Sequence, residues 1–274
     1  MDQLNLIIPE LFLTTSIMIL LMIGVFYKNS FNLIYKLSVI TLLATFILLF
    51  NHSIDTSTRL FNNSYTIDYF SLFMKVLTLI ACIFVMLSSL DYIKLIGINK
   101  MEYPILILSS TLGMMIMISS YDLIVFYMGL ELQSLSLYVL ASFNRDNYRS
   151  SEAGLKYFIL GALSSGLLLY GCSLIYGFSG STNFDLIAQN MDQLNTGSIF
   201  GIVFILVGLA FKVSAVPFHM WAPDVYEGSP TSVTTFLAIV PKVAALTVFI
   251  RFLYVPFINL VDQWQMIIIF ISLA

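Results

Sequence analysis

The chain has 274 residues, of which 59% are hydrophobic and only 10% are charged, and its formal net charge is −3 at pH 7. A soluble domain carries about 25% charged residues, so this composition excludes an ordinary soluble enzyme and indicates a membrane protein. The slightly acidic balance gives no indication of a nucleic-acid partner.

Continuously apolar runs of about 20 residues, the length that crosses a bilayer as a helix, follow one another along the chain. They lack the alternation of barrel strands, so the sequence predicts an all-α polytopic bundle with about eight full spans and a truncated ninth. The predicted spans are 4–27, 32–50, 69–90, 104–119, 121–141, 152–178, 199–217 and 230–254, then 263 to the last residue. The acidic N-terminus lacks a basic n-region, so it is not expected to be a cleaved signal peptide.

Basic residues fall mostly in alternate loops, and this bias predicts the orientation of the bundle. One side carries Lys28, Lys36, Lys94, Lys100, Arg145 and Arg149, whereas Arg59 lies on the other. Because the basic side faces the cytoplasm in most membrane proteins, the N-terminus is expected outside. The loop after Lys212 is then expected on the cytoplasmic side.

The cysteines and glycines are interpreted as packing residues. Cys82 and Cys172 lie in different predicted spans, which favours small side chains in packed helices over a disulfide or a metal site. The segment GALSSG at 161–166 resembles a phosphate loop only in composition. Gly161, Ser165 and Cys172 recur on one face of their helix, which predicts a close helix–helix contact.

The stretch FKVSAVPFHMWAPDVYEGSP at 211–230 predicts an interrupted helix. Pro217 lacks a backbone donor and its ring meets the carbonyl four residues back, so the preceding helix cannot continue through it. Lys212 shares a stripe with Gly201 and Gly208, and small residues allow a second helix to approach closely. Lys212 is therefore predicted to face protein, with snorkelling to the cytoplasmic surface as the alternative.

Glu131 lies in the middle of its predicted span, with Tyr127, Ser134 and Tyr138 on the same face. A charge at the bilayer centre costs about 2.5–3.5 kcal/mol on insertion scales, so it requires a partner or an internal aqueous path. The polar stripe predicts that Glu131 faces the bundle interior. For Glu131 in that position, a role in proton transfer is favoured over a static ion pair between two helices.

Other ionisable residues lie in or near the spans, and their environments are predicted from their depth in each helix. Lys242 follows Pro241 near mid-span and is predicted to be internal. For Lys156, one turn into its helix, burial and snorkelling are equally supported, and Lys75 is interpreted as an anchor at the membrane interface. His219 lies in the proline-rich loop; histidine titrates near neutral pH, which suits a proton relay, and a structural role is the alternative.

Buried lysines and a buried glutamate, without a metal, nucleotide or redox motif, indicate proton handling. Removal from water disfavours the charged form of either group, and a nearby opposite charge favours it. A Lys–Glu pair that separates and re-forms can therefore release and take up a proton. Moving one charge against about 100 mV costs about 2.3 kcal/mol. A change of less than two units in the pKa of the group supplies this energy, since one unit corresponds to about 1.36 kcal/mol.

Three segments carry a family resemblance: FYMGLELQSLSLYVLASF (126–143), SSEAGLKYFILGALSSGLLLYG (150–171) and FKVSAVPFHMWAPDVYEGSPTSVTTFLAIVPKVA (211–244). They resemble the antiporter-like membrane subunits of proton-pumping NADH–quinone oxidoreductase, respiratory complex I, of the subunit N type (mitochondrial subunit 2). The resemblance covers most of 104–254, whereas the first three spans match only in general character.

The resemblance implies an antiporter-like bundle with a broken seventh helix. In it, Glu131 would pair with Lys212, and Lys156 and Lys242 would continue a polar axis through the membrane centre. Residues 1–100 would form three N-terminal spans, 101–254 the first five-helix repeat, and 255–274 the start of a second repeat. Such proteins have about fourteen helices built on inverted repeats, so a fragment, a split-gene product and a shortened copy all remain open.

The function implied by the resemblance is that of a membrane-arm subunit that takes part in proton translocation and holds no redox centre. NAD, FMN, iron–sulfur clusters and quinone are expected in partner subunits, and no cofactor or metal is expected in this chain. The alternatives are a non-pumping scaffold of the same complex and an independent cation/proton antiporter. The expected partners are the other membrane-arm subunits, the lipid bilayer, protons and internal water. The expected location is the bacterial inner (plasma) membrane, with the mitochondrial inner membrane as the alternative.

Overall fold

A computed structural model describes residues 2–27, 30–50, 57–191 and 196–273. The helices are α1 (Asp2–Asn5), α2 (Ile8–Phe26), α3 (Phe31–Phe50), α4 (Tyr69–Ile96), α5 (Glu102–Ile118), α6 (Leu123–Ala141), α7 (Tyr148–Ser179), α8 (Phe184–Asn190), α9 (Thr196–Val213), α10 (Trp221–Gly228), α11 (Thr231–Tyr254) and α12 (Val261–Leu273). A short hairpin of β1 (Thr58–Leu60) and β2 (Tyr65–Ile67) precedes α4, and a 3-10 turn (Ile258–Leu260) precedes α12.

Among the described residues, seven helices are long and apolar enough to cross a membrane, namely α2, α3, α4, α6, α7, α9 and α11. Helix α5 is shorter, with 17 residues, and is also apolar. Large apolar side chains such as Met18, Phe84 and Leu163 are exposed on the outside of the bundle, as expected for surfaces that face lipid. The predicted all-α polytopic fold is confirmed, and the predicted spans match these helices apart from shifts at their ends.

The hairpin defines one end of the bundle, which we call the hairpin side. Strands β1 and β2 pair in antiparallel fashion, and Tyr65 also bridges to Ser120 between α5 and α6. Arg59 forms an ion pair with Asp185 at this end. Most described basic residues lie at the opposite end, the basic side, and Lys28 is outside the described residues. The hairpin side corresponds to the predicted outer side.

Helix α9 ends at Val213, the residue whose carbonyl the ring of Pro217 would meet. Ser214 then turns the chain with a φ of 63°. The Phe211 carbonyl in the last turn of α9 accepts a hydrogen bond from the Ser214 amide at 3.1 Å and a second from the indole nitrogen of Trp221 at 3.0 Å. The predicted interruption of this helix is confirmed.

Helices α5 and α6 approach closely through facing glycines. A Cβ atom at Gly129 would lie 2.8 Å from the Met117 backbone nitrogen, and one at Gly113 would lie 2.6 Å from the Gln133 nitrogen. Only glycine allows backbones to come this near. This contact fixes the helix face next to Glu131.

A second pair of facing glycines joins α7 to α9. A Cβ atom at Gly171 would lie 2.8 Å from the Gly201 carbonyl oxygen, and one at Gly208 would lie 2.7 Å from the Cβ of Leu168. The stripe of small residues predicted along the Lys212 face of α9 is therefore confirmed as a helix–helix contact.

Replacing Gly129 by alanine is expected to destabilise the bundle by about 1–3 kcal/mol, because the new methyl group meets backbone that cannot rotate away. The matched control is Gly166→Ala, since a Cβ atom there meets nothing within 4 Å and alanine is the better helix former. Thermal unfolding in detergent measures both. Equal midpoints for the two variants would show that this contact is not close.

Candidate functional site

Lys212 lies in the last turn of α9 and is 8% exposed. Its amine donates a hydrogen bond to the Ser134 hydroxyl at 2.7 Å and a longer one to the Tyr138 hydroxyl at 3.5 Å. The amine also lies 5.6 Å from the centre of the Tyr138 ring. Lys212 therefore faces protein, as predicted, and does not reach the surface.

Glu131 lies on α6 one turn before Ser134, and its Oε1 atom is buried without a hydrogen bond to another described residue. The carboxylate is near enough to act on the Lys212 amine electrostatically. The ion pairs among the described residues nevertheless do not include these two groups. In this conformation Lys212 bonds to neutral hydroxyls and Glu131 acts on it from a distance.

Tyr138 is held in place by neighbouring aromatic rings. A Cβ atom at Gly161 would overlap the Tyr138 hydroxyl, so glycine there makes room for the phenol. The Tyr138 ring packs edge-on against Tyr157 at 4.8 Å, and Tyr157 stacks on Trp221 at 4.5 Å. Since Trp221 also bonds to the end of α9, the interrupted segment and the partner of Lys212 form one packed unit.

Lys242 lies on α11 directly after Pro241 and is half-buried. Its amine lies 5.4 Å from the centre of the Tyr226 ring, a distance at which a cation is attracted to the ring face. The Tyr226 hydroxyl is buried without a hydrogen bond within the described part of the chain. Lys242 is thus partly internal, and its role in proton transfer stays a prediction.

Lys156 is 41% exposed and lies on the basic side between α7 and α10. Its amine forms ion pairs with Asp224 at 2.6 Å and with Glu152 at 2.8 Å. The sequence supported burial and snorkelling of Lys156 equally, and the structure shows its amine snorkelling to the surface. Lys156 makes no direct ion pair with Glu131 here, and its place in a polar axis stays a prediction.

The His219 side chain is exposed in the turn between α9 and α10, and its backbone carbonyl accepts a hydrogen bond from the Ala222 amide at 2.9 Å. The structure does not bring the imidazole to Lys212, so a relay role also stays a prediction.

Cys82 and Cys172 are free and buried, as expected of packing residues. The described residues contain no group of His, Cys, Asp and Glu arranged to hold a metal ion.

The interpretation of Lys75 as an interface anchor is wrong. Its side chain is 2% exposed and its amine donates hydrogen bonds to Glu10 at 2.6 Å and to the Tyr65 hydroxyl at 2.9 Å. The face of α4 that carries Lys75 also carries Ser71, Thr78 and Cys82, all of them buried. That stripe of small and polar residues is the sequence signal that predicts burial here.

Arg251 and Asp68 form another ion pair on the hairpin side that the sequence did not reveal. Arg251 is 5% exposed, and its guanidinium donates to both Asp68 carboxylate oxygens, at 2.8 and 2.9 Å. Asp68 also caps α4 by accepting from the Ser71 amide at 2.7 Å. Burial favours the neutral acid, but Arg251 and the Ser71 amide outweigh it and hold the pKa of Asp68 below its ordinary value.

Residues 120–274 match the family described as NADH:quinone oxidoreductase/Mrp antiporter, transmembrane. NADH-quinone oxidoreductase subunit N of Pelagibacter ubique is 66% identical over 100% of this chain. Subunit N of Rhodospirillum rubrum is 52% identical over 97% of it. The chain spans 58% and 56%, respectively, of the lengths of these relatives.

Solved structures with the same fold come from several complexes. A chain of respiratory complex I from Thermus thermophilus is 29% identical, with a TM-score of 0.76 over 89% of this chain and 52% of that one. The Mrp complex from Dietzia contains a chain with a TM-score of 0.74 at 22% identity, over 93% of this chain and 49% of that one. The second similarity concerns the fold alone.

Proposed function

Because this chain belongs to the NADH:quinone oxidoreductase/Mrp antiporter transmembrane family, we propose that it acts in the membrane arm of an NADH–quinone oxidoreductase of the subunit N type and takes part in proton translocation. The 66% identity to a relative of that name supports the assignment. The observation that carries the mechanism is the Lys212 amine, which is buried and, within the described part of the chain, donates its hydrogen bonds to two hydroxyls, with Glu131 in electrostatic reach.

This arrangement makes the protonation of Lys212 sensitive to small movements. Removal from water disfavours the ammonium form, whereas the Glu131 carboxylate favours it. When the distance between the two groups changes, the more stable form of the amine changes with it. The proton leaves Lys212 through the hydroxyls that already accept its hydrogen bonds, Ser134 and Tyr138.

The remaining basic groups extend this centre in opposite directions. Lys242, which lies against the Tyr226 ring, is the next internal position for a proton. Lys156 and His219 lie on the basic side, where uptake from the cytoplasm would begin. The turn at Ser214, packed against α10 through Trp221, is the segment whose movement would alter the Lys212–Glu131 distance.

The chain works with partners that supply the driving reaction. The chemistry of NAD, FMN, iron–sulfur clusters and quinone belongs to other subunits, and this chain holds no cofactor of its own. Other membrane-arm subunits pack against its apolar exterior together with lipid. The relatives that carry the subunit N name are bacterial, which supports a location in the bacterial plasma membrane.

The test is to compare the purified chain in liposomes with the assembled enzyme in sealed vesicles. We expect NADH oxidation to acidify the vesicle lumen only in the assembled enzyme, and the chain alone to carry no flux. Proton flux driven by an imposed sodium gradient through the isolated chain would instead show an independent antiporter.

A further inference from the structure

A second group of buried charges lies on the hairpin side, outside the Lys212 centre. Glu10 on α2, Lys75 on α4 and Tyr65 on β2 are 5%, 2% and 6% exposed. Lys75 donates to Glu10 at 2.6 Å and to Tyr65 at 2.9 Å, and Tyr65 donates to Glu10 at 2.8 Å. The acid, the amine and the phenol thus form a closed triangle of hydrogen bonds.

Stability alone does not account for this triangle. Burying an ion pair removes both charges from water, and well-packed apolar residues of similar volume are often as stable or more stable. The elements that supply Glu10 and Lys75 are otherwise packed through apolar side chains such as Leu13 and Leu79. Ionisable groups inside a membrane protein are rare and mark substrate, proton or ion paths, so a functional role is the default hypothesis for them.

Charged groups near the triangle reach the surface of the hairpin side. The positive charge of Arg251 acts on Tyr65, and Arg251 bonds to Asp68, whose side chain is 32% exposed. Arg251 Nη1 and the Ser119 hydroxyl are buried without a hydrogen bond to another described residue. Such atoms can hold a bridging water, which needs two to four polar neighbours.

The triangle is also connected to the proposed proton path through α11. Arg251 and Lys242 belong to this helix, and their positions differ by roughly 13 Å along its axis at about 1.5 Å per residue. Helix α11 therefore runs from the half-buried Lys242 to the arginine beside the triangle.

We propose that Glu10, Lys75 and Tyr65 form a second proton-binding site, which holds a proton on Glu10 and releases it to the hairpin side past Arg251 and Asp68. This proposal rests on the proposed function. In the occupied state Lys75 is an ammonium and Glu10 a neutral acid. On release, the Glu10 proton passes to the Tyr65 oxygen while the Tyr65 proton passes to water, and the ion pair with Lys75 is restored.

The charged and titratable groups around Glu10 support this assignment by elimination. Burial and then Glu10 raise the pKa of Tyr65, so the phenol carries no charge near neutral pH. The pKa of Asp68 is lowered, so it stays ionised, and an arginine does not deprotonate in proteins. The remaining charged groups of the triangle are Glu10 and Lys75, which contact each other directly at 2.6 Å.

The test uses proton transport by the assembled enzyme in sealed vesicles as the pH of the hairpin side is varied. Lys75→Met leaves the Glu10 carboxylate buried without its partner and is expected to lower assembly, whereas Glu10→Gln fixes the charges of the occupied state. The double variant removes both charges, so we expect normal assembly but about tenfold slower transport, without the wild-type dependence on hairpin-side pH. The control is Arg149→Gln with Glu227→Gln, an ion pair whose side chains are 73% and 76% exposed.

A double variant that assembles and transports like the wild type would show that the triangle is only a brace. Should it not assemble, Tyr65→Phe decides instead, because it keeps both charges and removes only the relay hydroxyl. Normal transport with an unchanged pH profile in Tyr65→Phe would then overturn the proposal. Lys212→Met distinguishes failure of the proposed function from failure of the second site. If Lys212→Met leaves transport intact, the proposed function is wrong. If Lys212→Met abolishes transport while the double variant transports fully, only the second site is wrong.

Discussion

Replacing Lys212 by methionine is expected to lower NADH-driven proton transport of the assembled enzyme about tenfold or more. The amine is the buried group that bonds to Ser134 and Tyr138 and is influenced by Glu131. Methionine fills a similar volume but binds no proton, so the transfer step loses its carrier while the packing of α9 is kept. Transport is measured as acidification of sealed vesicles per NADH oxidised.

Two further lysine variants make this result specific. Lys36→Met changes an exposed lysine in the same way and should leave transport unchanged. Lys212→Arg keeps the positive charge but cannot release a proton, so it should transport as poorly as Lys212→Met while assembling normally. If Lys212→Arg transported at the wild-type rate, a fixed charge would be sufficient and proton release from this position would be contradicted.

Replacing Glu131 by glutamine should also lower transport about tenfold, with little effect on assembly. The amide has nearly the same shape, and the buried Oε1 has no hydrogen bond among the described residues that would be lost. What disappears is the negative charge that favours the protonated form of Lys212. The assembled complex is quantified by native electrophoresis and transport by vesicle acidification.

The scaffold alternative predicts the reverse pattern for Glu131→Gln. If the carboxylate only braced neighbouring helices, the variant would lose assembled complex while each remaining complex transported at the normal rate. Glu227→Gln serves as the control, because its side chain is 76% exposed and far less packed. Normal transport per assembled Glu131→Gln complex would remove Glu131 from the mechanism.

The inward orientation of Lys212 could be predicted from the sequence because local rules fix it, whereas its pairing with Glu131 was implied only by the family resemblance. Pro217 ends α9 at Val213, and the small residues on the Lys212 face must meet another helix. The same reasoning placed Ser134 and Tyr138 on the face of Glu131, and both are buried next to Lys212. The sequence could not show that Lys212 bonds to these hydroxyls in place of the carboxylate, since that depends on the distance between helices.

The hairpin-side triangle was missed because its members are far apart in the chain. Glu10 follows Pro9 in the first turn of α2, where an acid is explained by the helix dipole alone. Its ion-pair partner, Lys75, lies on α4, and the hairpin that supplies Tyr65 has no strong pattern of its own. The triangle arises only from how α2, β2 and α4 pack.

Lys156 shows why a charge near a helix end is ambiguous. Its depth along α7 fits burial and snorkelling equally, and its partner Asp224 lies on α10, after the interruption. The path of the chain through 214–220 decides where α10 packs, and this path is set by tertiary contacts such as the Trp221–Phe211 hydrogen bond.

The most direct test is to observe the protonation of Lys212 itself. Solid-state NMR of isotopically labelled lysine side-chain nitrogens, with Lys212→Met to assign the signal, distinguishes the ammonium from the neutral amine in the assembled enzyme. We predict that both forms are populated and that their ratio shifts between the resting enzyme and turnover with NADH. A Lys212 signal that stays ammonium in both conditions would contradict proton transfer through this residue.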